Sequence, residues 1–227
     1  MTLNKNIVVV IPAHNERKTI GKVIKDLKNH NYNKIIVIDD GSTDNTDLVA
    51  STKGAMVVGY LHNYGQGHAL SKGIDLAFQL DKPDIIITFD ADGQHQAKDV
   101  KNLIKVIKEG YDVALGSRFL KKNKIPFFKK IILKGGVLMI KLFYGADVTD
   151  AHNGLRALSA KAAKVINITE NRMAHASEIM EKIMKHQLKY KEVPVTIKYT
   201  KYSKLKGQSI FNALKILWRM FVRKWKN

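Results

Sequence analysis

The sequence predicts an α/β fold with a mostly parallel central sheet flanked by helices. In the first half of the chain, short apolar runs that suit buried strands alternate with stretches in which apolar residues recur at helical spacing. This alternation indicates βαβ units, which build parallel sheets. Polar residues cluster directly after the first, second and fourth apolar runs. Because ligands bind outside the carboxyl ends of parallel strands, we expect a binding site at that edge of the sheet.

The first half contains four predicted strands and three predicted helices. Apolar and mostly β-branched runs predict strands at 7–11, 35–38, 55–61 and 84–89. Helical spacing predicts helices over 19–27, through position 49, and from 65 to about 80. Asp44 is a candidate N-cap of the second helix, and helix capping is the alternative to a binding role for both Asp39 and Asp44.

The second half is less regular. The pattern predicts helices over 100–107, 127–143, 177–186 and 209–225, strands at 113–115 and 193–199, and a polar loop over 147–156. With 227 residues, the chain is long enough for one substantial core. We therefore predict one catalytic domain over residues 1–207, followed by a basic amphipathic C-terminal helix over 208–227.

Composition excludes several classes of chemistry. The chain has no cysteine, which rules out disulfides, thiolate metal sites and thiol nucleophiles, and which fits a reducing compartment. The N-terminus leads directly into a predicted strand, without the pattern of a signal peptide. No window reaches the roughly 18 continuous apolar residues of a membrane span. We expect a cytoplasmic protein that is peripheral on the cytoplasmic face of the membrane.

The positive charge is concentrated in two segments. Residues 117–146 hold eight Lys or Arg and no acidic residue, and residues 198–227 hold nine and no acidic residue, together 17 of the formal +19. Nucleic acid, anionic lipid and phosphorylated substrates are all candidate partners of such segments. The basic stretches contain no recognisable nucleic-acid-binding motif. A basic nucleic-acid-binding protein is therefore the remote alternative, and we expect no nucleic acid partner.

Two carboxylates end the fourth predicted strand. Asp90 and Asp92 are followed by Gly93 and Gln94. Oxygen ligands at the end of a strand suit a hard divalent cation such as Mg²⁺ or Mn²⁺, which keeps open positions for phosphate oxygens. The alternative is a solvated Asp-rich turn, because a lone Asp-x-Asp is not specific.

The ordered set of motifs resembles the family 2 glycosyltransferases. The segments that carry the resemblance are 11–16 (IPAHNE), 39–46 (DDGSTDNT), 63–69 (NYGQGHA), 90–94 (DADGQ), 116–119 (GSRF), 150–157 (DAHNGLRA) and 192–194 (EVP). They are similar to the branch that includes dolichol-phosphate mannosyltransferase and bacterial polyprenyl-phosphate transferases. The resemblance implies a GT-A fold, a nucleotide-diphosphate sugar donor, a divalent metal and a polyprenyl-phosphate acceptor.

The resemblance also implies roles for residues on the donor side. The metal would be held by Asp92 with Gln94, and by Asp90, and it would stabilise the diphosphate leaving group. The residues that would line the donor pocket are Pro12, Ala13, His14, Glu16, Ile38, Asp40, Gly67, Asp90, Ala91 and Asp92. Near the C-terminus the branch has an Arg before Gly-x-Ser-Lys; here Lys204 and Lys206 precede Gly207, and they are candidate phosphate contacts.

Arg118 and Arg156 are the candidates for binding the acceptor phosphate, because a guanidinium offers a forked donor set to phosphate oxygens. The alternative for both is a structural ion pair. Asp150 has two possible roles. If the acceptor were a hydroxyl of a cell-wall or capsular glycan, Asp150 would act as general base. A lipid phosphate is already ionised near pH 7, and Asp150 would then orient Arg156 or the acceptor.

The predicted tail helix is both basic and rich in aromatic residues. Its lysines and arginines share one face, and Trp218 and Trp225 belong to its apolar side. This pattern is typical of an interfacial membrane helix, so the membrane surface is an expected partner. A small integral membrane protein docked on the same helix is the competing explanation, and packing on a second copy of the chain is also compatible with the pattern.

Overall fold

The computed structural model describes residues 6–123 and 125–199, which form one seven-stranded sheet with helices on both faces. The strands are β1 (Ile7–Ala13), β2 (Ile35–Asp39), β3 (Met56–Gly59), β4 (Ile85–Thr88), β5 (Val113–Ser117), β6 (Arg156–Ser159) and β7 (Tyr190–Pro194). The helices are α1 (Ile20–Asn29), α2 (Thr46–Thr52), α3 (Gln66–Leu80), α4 (Ala97–Lys108), α5 (Phe127–Tyr144), α6 (Ala160–Val165) and α7 (His175–Lys185).

The strand order is β3-β2-β1-β4-β6-β5-β7, and only β6 runs against its neighbours. Strands β1 to β4 are parallel, as the βαβ pattern predicts, and β5 pairs with β7 in parallel. Because β6 is antiparallel, its first residue lies at the carboxyl edge of its neighbours: Arg156 pairs with Thr88 of β4 and with Leu115 of β5. The loop before β6 therefore reaches the same edge as the loops after β1, β2 and β4.

Two hydrophobic layers hold the sheet between the helices. Val8 and Val10 of β1 pack on one face, against side chains from α3, α5, α6 and α7. Val9 and Ile11 pack on the other face, against α1 and α4. Successive side chains of a strand point to opposite faces, so a continuous run of apolar residues in β1 fills both layers at once.

The elements predicted for the first half are confirmed, with ends that differ by a few residues. Strand β1 continues through Pro12 and Ala13, and α2 begins at Thr46. Its N-cap residue, Asn45, has a left-handed backbone (φ 61°) and makes no side-chain cap. The prediction of Asp44 as the N-cap is therefore wrong by one residue, although its carboxylate accepts a hydrogen bond from the Thr46 amide at 3.2 Å.

In the second half, three elements differ from the sequence predictions. Strand β6 and helix α6 were not predicted, since the loop prediction ended at Arg156. The strand predicted at 193–199 lies earlier, over Tyr190–Pro194. Beyond Pro194, side chains take the place of a neighbouring strand as hydrogen-bond acceptors. The backbone amide of Thr196 donates to Asp99 Oδ2 at 2.7 Å, and that of Ile197 donates to Asn123 Oδ1 at 3.0 Å. An alternating apolar pattern therefore persists there without a partner strand.

The predicted tail helix over 209–225 and the domain boundary at 207/208 lie outside the described residues. Within residues 6–123 and 125–199, no helix has the length and hydropathy needed to cross a bilayer.

Candidate active site

The loops after β1 and β2 are tied together at one end of the sheet edge. The two carboxylate oxygens of Asp40 accept the backbone amides of Tyr64 and Gly65 at 2.9 and 2.7 Å, and the Asp40 amide donates to the Ala13 carbonyl at 2.8 Å. His14 Nδ1 donates to the Asp40 carbonyl at 2.9 Å. Asp40 thus fixes the loop that leads into α3, and the exposed ring of His14 lies beside it.

The remaining residues predicted for the donor pocket differ in their placement. Glu16 is buried; its amide donates to Thr46 Oγ1 at 2.8 Å, and Thr19 Oγ1 donates to its Oε2 at 2.7 Å. Pro12 and Ala13 are buried at the end of β1. Ile38 lies in the hydrophobic layer beneath α3, where its side chain serves the core. The structure therefore links Ala13, His14 and Asp40 by hydrogen bonds. Ile38 pairs with Pro12 across β1 and β2, and its side chain packs in the hydrophobic layer.

Asp90 is clamped by two side chains that sequence reasoning did not assign to it. Gln66 Nε2 donates to Asp90 Oδ1 at 3.0 Å, and His95 Nε2 donates to Oδ2 at 3.0 Å. Burial alone would raise the pKa of Asp90, but the hydrogen bond and charge of His95, with Arg156 and His175 nearby, lower it below its ordinary value. Asp90 is therefore an ionised carboxylate with a fixed orientation. Gln66 and His95 both lie within the motif segments or one residue beyond them.

Asp92 follows Asp90 by two residues, and its side chain is half-buried. Its Oδ1 accepts the Gln94 amide at 2.9 Å, and its Oδ2 accepts the Gln94 side-chain amide. Burial and the charge of Asp90 raise the pKa of Asp92. Ala91 between the two carboxylates is buried. The arrangement concentrates negative charge that a cation would neutralise.

The donor set fits a divalent cation that is shared with a substrate. Across residues 6–123 and 125–199, no three His, Asp or Glu side chains converge to hold a metal by themselves. Mg²⁺ and Mn²⁺ accept hard oxygen ligands, and Mg²⁺ is usually bound by one or two carboxylates together with substrate phosphates. The carboxylate of Asp92 and the amide oxygen of Gln94 suit that arrangement. The oxygens of Asp90 and of Asp92 already accept hydrogen bonds, and a metal contact from Asp90, Asp92 or Gln94 stays a prediction.

Arg118 and Asp150 form a buried ion pair. Arg118 donates from Nε to Asp150 Oδ2 at 2.5 Å and from its backbone amide at 3.0 Å; Asn153 Nδ2 reaches the same oxygen at 3.3 Å. Burial alone would lower the pKa of Arg118, but Asp150 raises it above its ordinary value. The other oxygen of Asp150 is buried and has no hydrogen-bond partner among the described residues. The segment 149–150 is held in turn by Glu192, which accepts both backbone amides.

Arg156 is more deeply buried than its predicted role requires. It is 2% exposed, its Nη2 donates weakly to the Ala151 carbonyl at 3.5 Å, and its Nη1 has no partner among the described residues. Burial lowers its pKa to about 10, against the opposing charges of Asp90 and Asp150. Arg156 thus contributes positive charge beneath the site, and a direct contact with an acceptor phosphate stays a prediction.

Lys129 of α5 is a cation that sequence reasoning counted only as part of a basic stretch. Its Nζ lies 5.0 Å from the centre of the Tyr199 ring. Burial and the charge of Arg118 lower its pKa, while Asp92, Asp150 and Asp90 oppose that effect. Lys129 therefore faces both the carboxylates and Arg118. No signal in the sequence separates it from the neighbouring lysines, because only the packing of α5 directs it inward.

Two glycines allow close approach around the site. At Gly154, a Cβ would overlap the carboxylate of Asp90. At Gly67, predicted to contact the donor, a Cβ would overlap the Glu170 carbonyl and lie 2.8 Å from His175 Cβ. Gly67 thus lets α3 pass under the segment before α7, and its predicted donor contact remains untested. The candidate phosphate contacts Lys204 and Lys206 lie outside the described residues.

A comparison with protein families finds a match to the model described as "Glycosyl transferase family 2" over residues 8–166. The match spans β1 to α6 and so includes Asp40, Asp92, Arg118 and Asp150.

Similar sequences cover nearly the whole chain. An uncharacterized protein of Methanocaldococcus jannaschii is 44% identical over 98% of this chain and 94% of its own length. The UDP-N-acetylglucosamine–dolichyl-phosphate N-acetylglucosaminyltransferase of Methanococcus voltae is 34% identical over 97% of both chains. The dolichol-phosphate mannosyltransferase of Pyrococcus furiosus is 31% identical over 97% of this chain and 64% of its own.

Among solved structures, glucosyl-3-phosphoglycerate synthase of Mycobacterium tuberculosis, in complex with Mn²⁺, UDP and glucosyl-3-phosphoglycerate, superposes with a TM-score of 0.72. It is 18% identical, and the match covers 97% of this chain and 80% of that one. At this identity the likeness establishes the fold, and it confirms the GT-A architecture expected from the motifs.

Proposed function

The chain belongs to glycosyltransferase family 2, and from that premise we propose that it is an inverting transferase that moves a sugar from UDP or GDP to a polyprenyl phosphate. The observation that carries the acceptor assignment is the group formed by Arg118, Asp150 and Lys129. Asp150 is committed to an ion pair with Arg118, while two cations face the site. This arrangement suits an anionic nucleophile better than a neutral hydroxyl.

On the donor side, the loops after β1 and β2 would hold the nucleoside, with the exposed His14 and the Asp40 loop as its boundaries. Asp90, held by Gln66 and His95, would orient the ribose and diphosphate. Mg²⁺ or Mn²⁺, bound by Asp92 with Gln94 and by the diphosphate, would supply charge stabilisation for the departing nucleotide.

On the acceptor side, Arg118 and Lys129 would attract and orient the phosphate. A lipid phosphate already carries an ionised, nucleophilic oxygen near pH 7, so the chain has no need to remove a proton from the acceptor. Asp150 is then a positioning residue that fixes the Arg118 side chain through Nε. The buried Arg156 adds positive potential beneath Asp90.

The relatives support this assignment by their names: one acts on dolichyl phosphate with UDP-N-acetylglucosamine and another is a dolichol-phosphate mannosyltransferase. Since these two differ in sugar and are similar to this chain at nearly the same identity, they leave the sugar and the base open. A hydroxyl acceptor with Asp150 as base is the second candidate. The observation in its favour is that Oδ1 of Asp150 accepts no hydrogen bond from residues 6–123 and 125–199.

A lipid acceptor requires the site to meet a bilayer. The predicted tail helix, with Trp218 and Trp225 at headgroup depth, would bring the enzyme to the cytoplasmic face. A small integral membrane partner on that helix is the competing route, and a homo-oligomer is compatible with either.

Product analysis tests the proposal. The purified chain is incubated with Mn²⁺, a panel of labelled UDP- and GDP-sugars, and either short-chain polyprenyl phosphates in detergent or hydroxyl glycan acceptors. We expect label to enter the polyprenyl phosphate, in a product that is acid-labile and of inverted anomeric configuration. Transfer to the hydroxyl acceptors alone would replace the proposal with the second candidate.

A further inference from the structure

Helix α5 carries an exposed face on which large apolar side chains and lysines share one stripe. Phe127, Ile131, Leu138 and Leu142 are 71%, 54%, 56% and 66% exposed. The lysines at 130, 134 and 141 are exposed between them. All seven recur at intervals of three or four residues and so lie on one side of the helix; we call this set the outer face of α5.

The opposite side of the helix accounts for its attachment to the domain. Leu133 is 9% exposed and Ile140 is fully buried, and Ile140 joins the hydrophobic layer that α7 also lines. Gly136 lies against the ring of His152, where a Cβ would stand 2.7 Å from Cε1. These inner residues anchor the helix to the domain. Four large exposed apolar side chains on one 18-residue helix form the kind of patch that marks an interaction site.

The stretch of chain that carries the outer face is entirely positive in charge. Residues 117–146 contain eight Lys or Arg and no acid. Asp147, 85% exposed, pairs with Lys141 at 3.0 Å and is the acidic group nearest along the chain. An apolar stripe edged by lysines complements a surface that is apolar at depth and anionic at its boundary. A second copy of the same face would set these lysines against one another.

The outer face also begins beside the candidate active site. Lys129, whose charge interacts with those of Asp92 and Asp150, is adjacent in sequence to Lys130 of the outer face. A helix of this length extends about 27 Å, so a surface that covers the outer face would run directly past the acceptor side of the site.

We propose that the outer face of α5 lies in the headgroup region of an anionic bilayer and holds the acceptor side of the site against it. This inference deepens the proposed function and rests on it, because the contact would serve to bring the site to a lipid acceptor. It differs from the predicted role of the tail helix, because it assigns a membrane surface to the catalytic domain itself. The apolar side chains would enter the acyl boundary, and the three lysines would contact lipid phosphates.

Co-sedimentation of the full chain with vesicles tests this directly, in the absence of nucleotide sugar. Vesicles of phosphatidylcholine with 30 mol% phosphatidylglycerol are compared with pure phosphatidylcholine. One variant combines Ile131→Ser, Leu138→Ser and Leu142→Ser, and another combines Lys130→Gln, Lys134→Gln and Lys141→Gln. The matched controls change as many exposed residues elsewhere: Leu48→Ser with Met56→Ser and Leu61→Ser, and Lys98→Gln with Lys101→Gln and Lys105→Gln.

Each α5 variant should weaken binding to the anionic vesicles about 100-fold, while each control stays within about threefold of the parent chain. Transfer to a short-chain polyprenyl phosphate in detergent should be retained by both α5 variants, since none of the altered residues faces the site. Anionic-vesicle binding that survives both α5 variants, or that is lost only when Trp218 and Trp225 are changed to Ser, overturns the proposal. A chain that binds vesicles through α5 but transfers no sugar would contradict the proposed function and leave the membrane surface standing.

Discussion

The hydrogen bonds of Asp150 distinguish a positioning carboxylate from a general base. Its Oδ2 accepts both Nε and the backbone amide of Arg118, and an amide oxygen could accept the same two bonds. We therefore expect Asp150→Asn to retain transfer to polyprenyl phosphate within about tenfold, whereas Arg118→Gln removes the phosphate contact and lowers kcat/KM by about 100-fold or more. Steady-state kinetics at saturating donor measure both.

A general base would give the opposite order. Loss of a proton acceptor typically costs about 10²- to 10⁴-fold, so inactive Asp150→Asn beside a partly active Arg118→Gln would favour the hydroxyl acceptor. Circular dichroism and the unfolding midpoint of each variant exclude a trivial loss of fold, since both residues are buried.

The buried His175 should make stability depend on pH. The imidazole is 3% exposed and its Nδ1 donates to the Arg172 carbonyl at 2.8 Å; burial and the charge of Arg156 lower its pKa from 6.5 to about 4. The unfolded chain binds this proton below pH 6.5 and the folded chain does not, so stability is lost as the pH falls from about 6.5 to 4. Between pH 7 and pH 5 the loss should be about 2 kcal/mol.

Urea unfolding of His175→Asn checks this value. The variant keeps a side-chain N–H for the Arg172 carbonyl, and its free energy of unfolding should fall by about 2 kcal/mol less than that of the parent chain between pH 7 and pH 5. The exposed His186→Asn is the control. Parallel pH curves for the parent and His175→Asn would show that His175 is not held neutral.

At the residue scale, motif order and strand ends predicted that Asp90, Asp150 and Arg118 lie at one sheet edge, but Asp150 was expected to orient Arg156 or the acceptor, and it pairs with Arg118 instead. The sequence did not predict the partners of these side chains. The contacts of Gln66 and His95 with Asp90, and the inward placement of Lys129, depend on how α3 and α5 pack. Ile38, one residue before the motif at 39–46, lies in the hydrophobic layer because of the period-2 alternation of β2, and its predicted place in the donor pocket stays a prediction.

At the scale of elements, the antiparallel direction of β6 brings the loop before it to the carboxyl edge of the sheet. Gly154 in that loop allows it to approach the end of β4 closely. The Thr88 hydroxyl donates to the Gly154 carbonyl at 2.7 Å, and a Cβ at 154 would overlap the Asp90 carboxylate. We expect Gly154→Ala to displace Asp90 from Gln66 and His95 and to lower kcat about 100-fold. Gly59→Ala is the control, because a Cβ there meets nothing within 4 Å. Equal activity of the two variants would mean that the orientation of Asp90 is unimportant.

Strand β6 was not predictable from local pattern, and the reason is physical. Its four residues are an arginine, an alanine, a leucine and a serine. Neither apolar alternation nor β-propensity therefore marks them as a strand. The strand forms because β4 and β5 each offer it a ladder. Strand β1, by contrast, is specified by its own apolar run, and the sequence predicted it directly.

At the scale of the molecule, the fold separates two kinds of charge. Carboxylates from the loops after β2 and β4 gather at one part of the sheet edge, while Arg118 and Lys129 are the cations to which we assign the acceptor phosphate. The net charge of +19 is therefore not a uniform field. A nucleotide diphosphate entering beside Asp90 and Asp92 would meet repulsion unless a divalent cation accompanies it.

Because of that repulsion, we expect a nucleotide to stabilise the folded chain much more when Mn²⁺ is present. UDP or GDP alone should raise the unfolding midpoint little, whereas the matching nucleotide with Mn²⁺, at about 100 times its Kd, should stabilise the fold by about 2.7 kcal/mol. For a chain of this size that corresponds to roughly 5–10 °C. Differential scanning fluorimetry with each nucleotide, with and without Mn²⁺, also identifies the base. Asp92→Ala should abolish the Mn²⁺-dependent part and leave the ligand-free midpoint within a few degrees of the parent chain, since the hydrogen bonds of its half-buried side chain with described residues all come from the neighbouring Gln94. A nucleotide shift that is equally large in EDTA, or that survives Asp92→Ala unchanged, would remove the metal from this site.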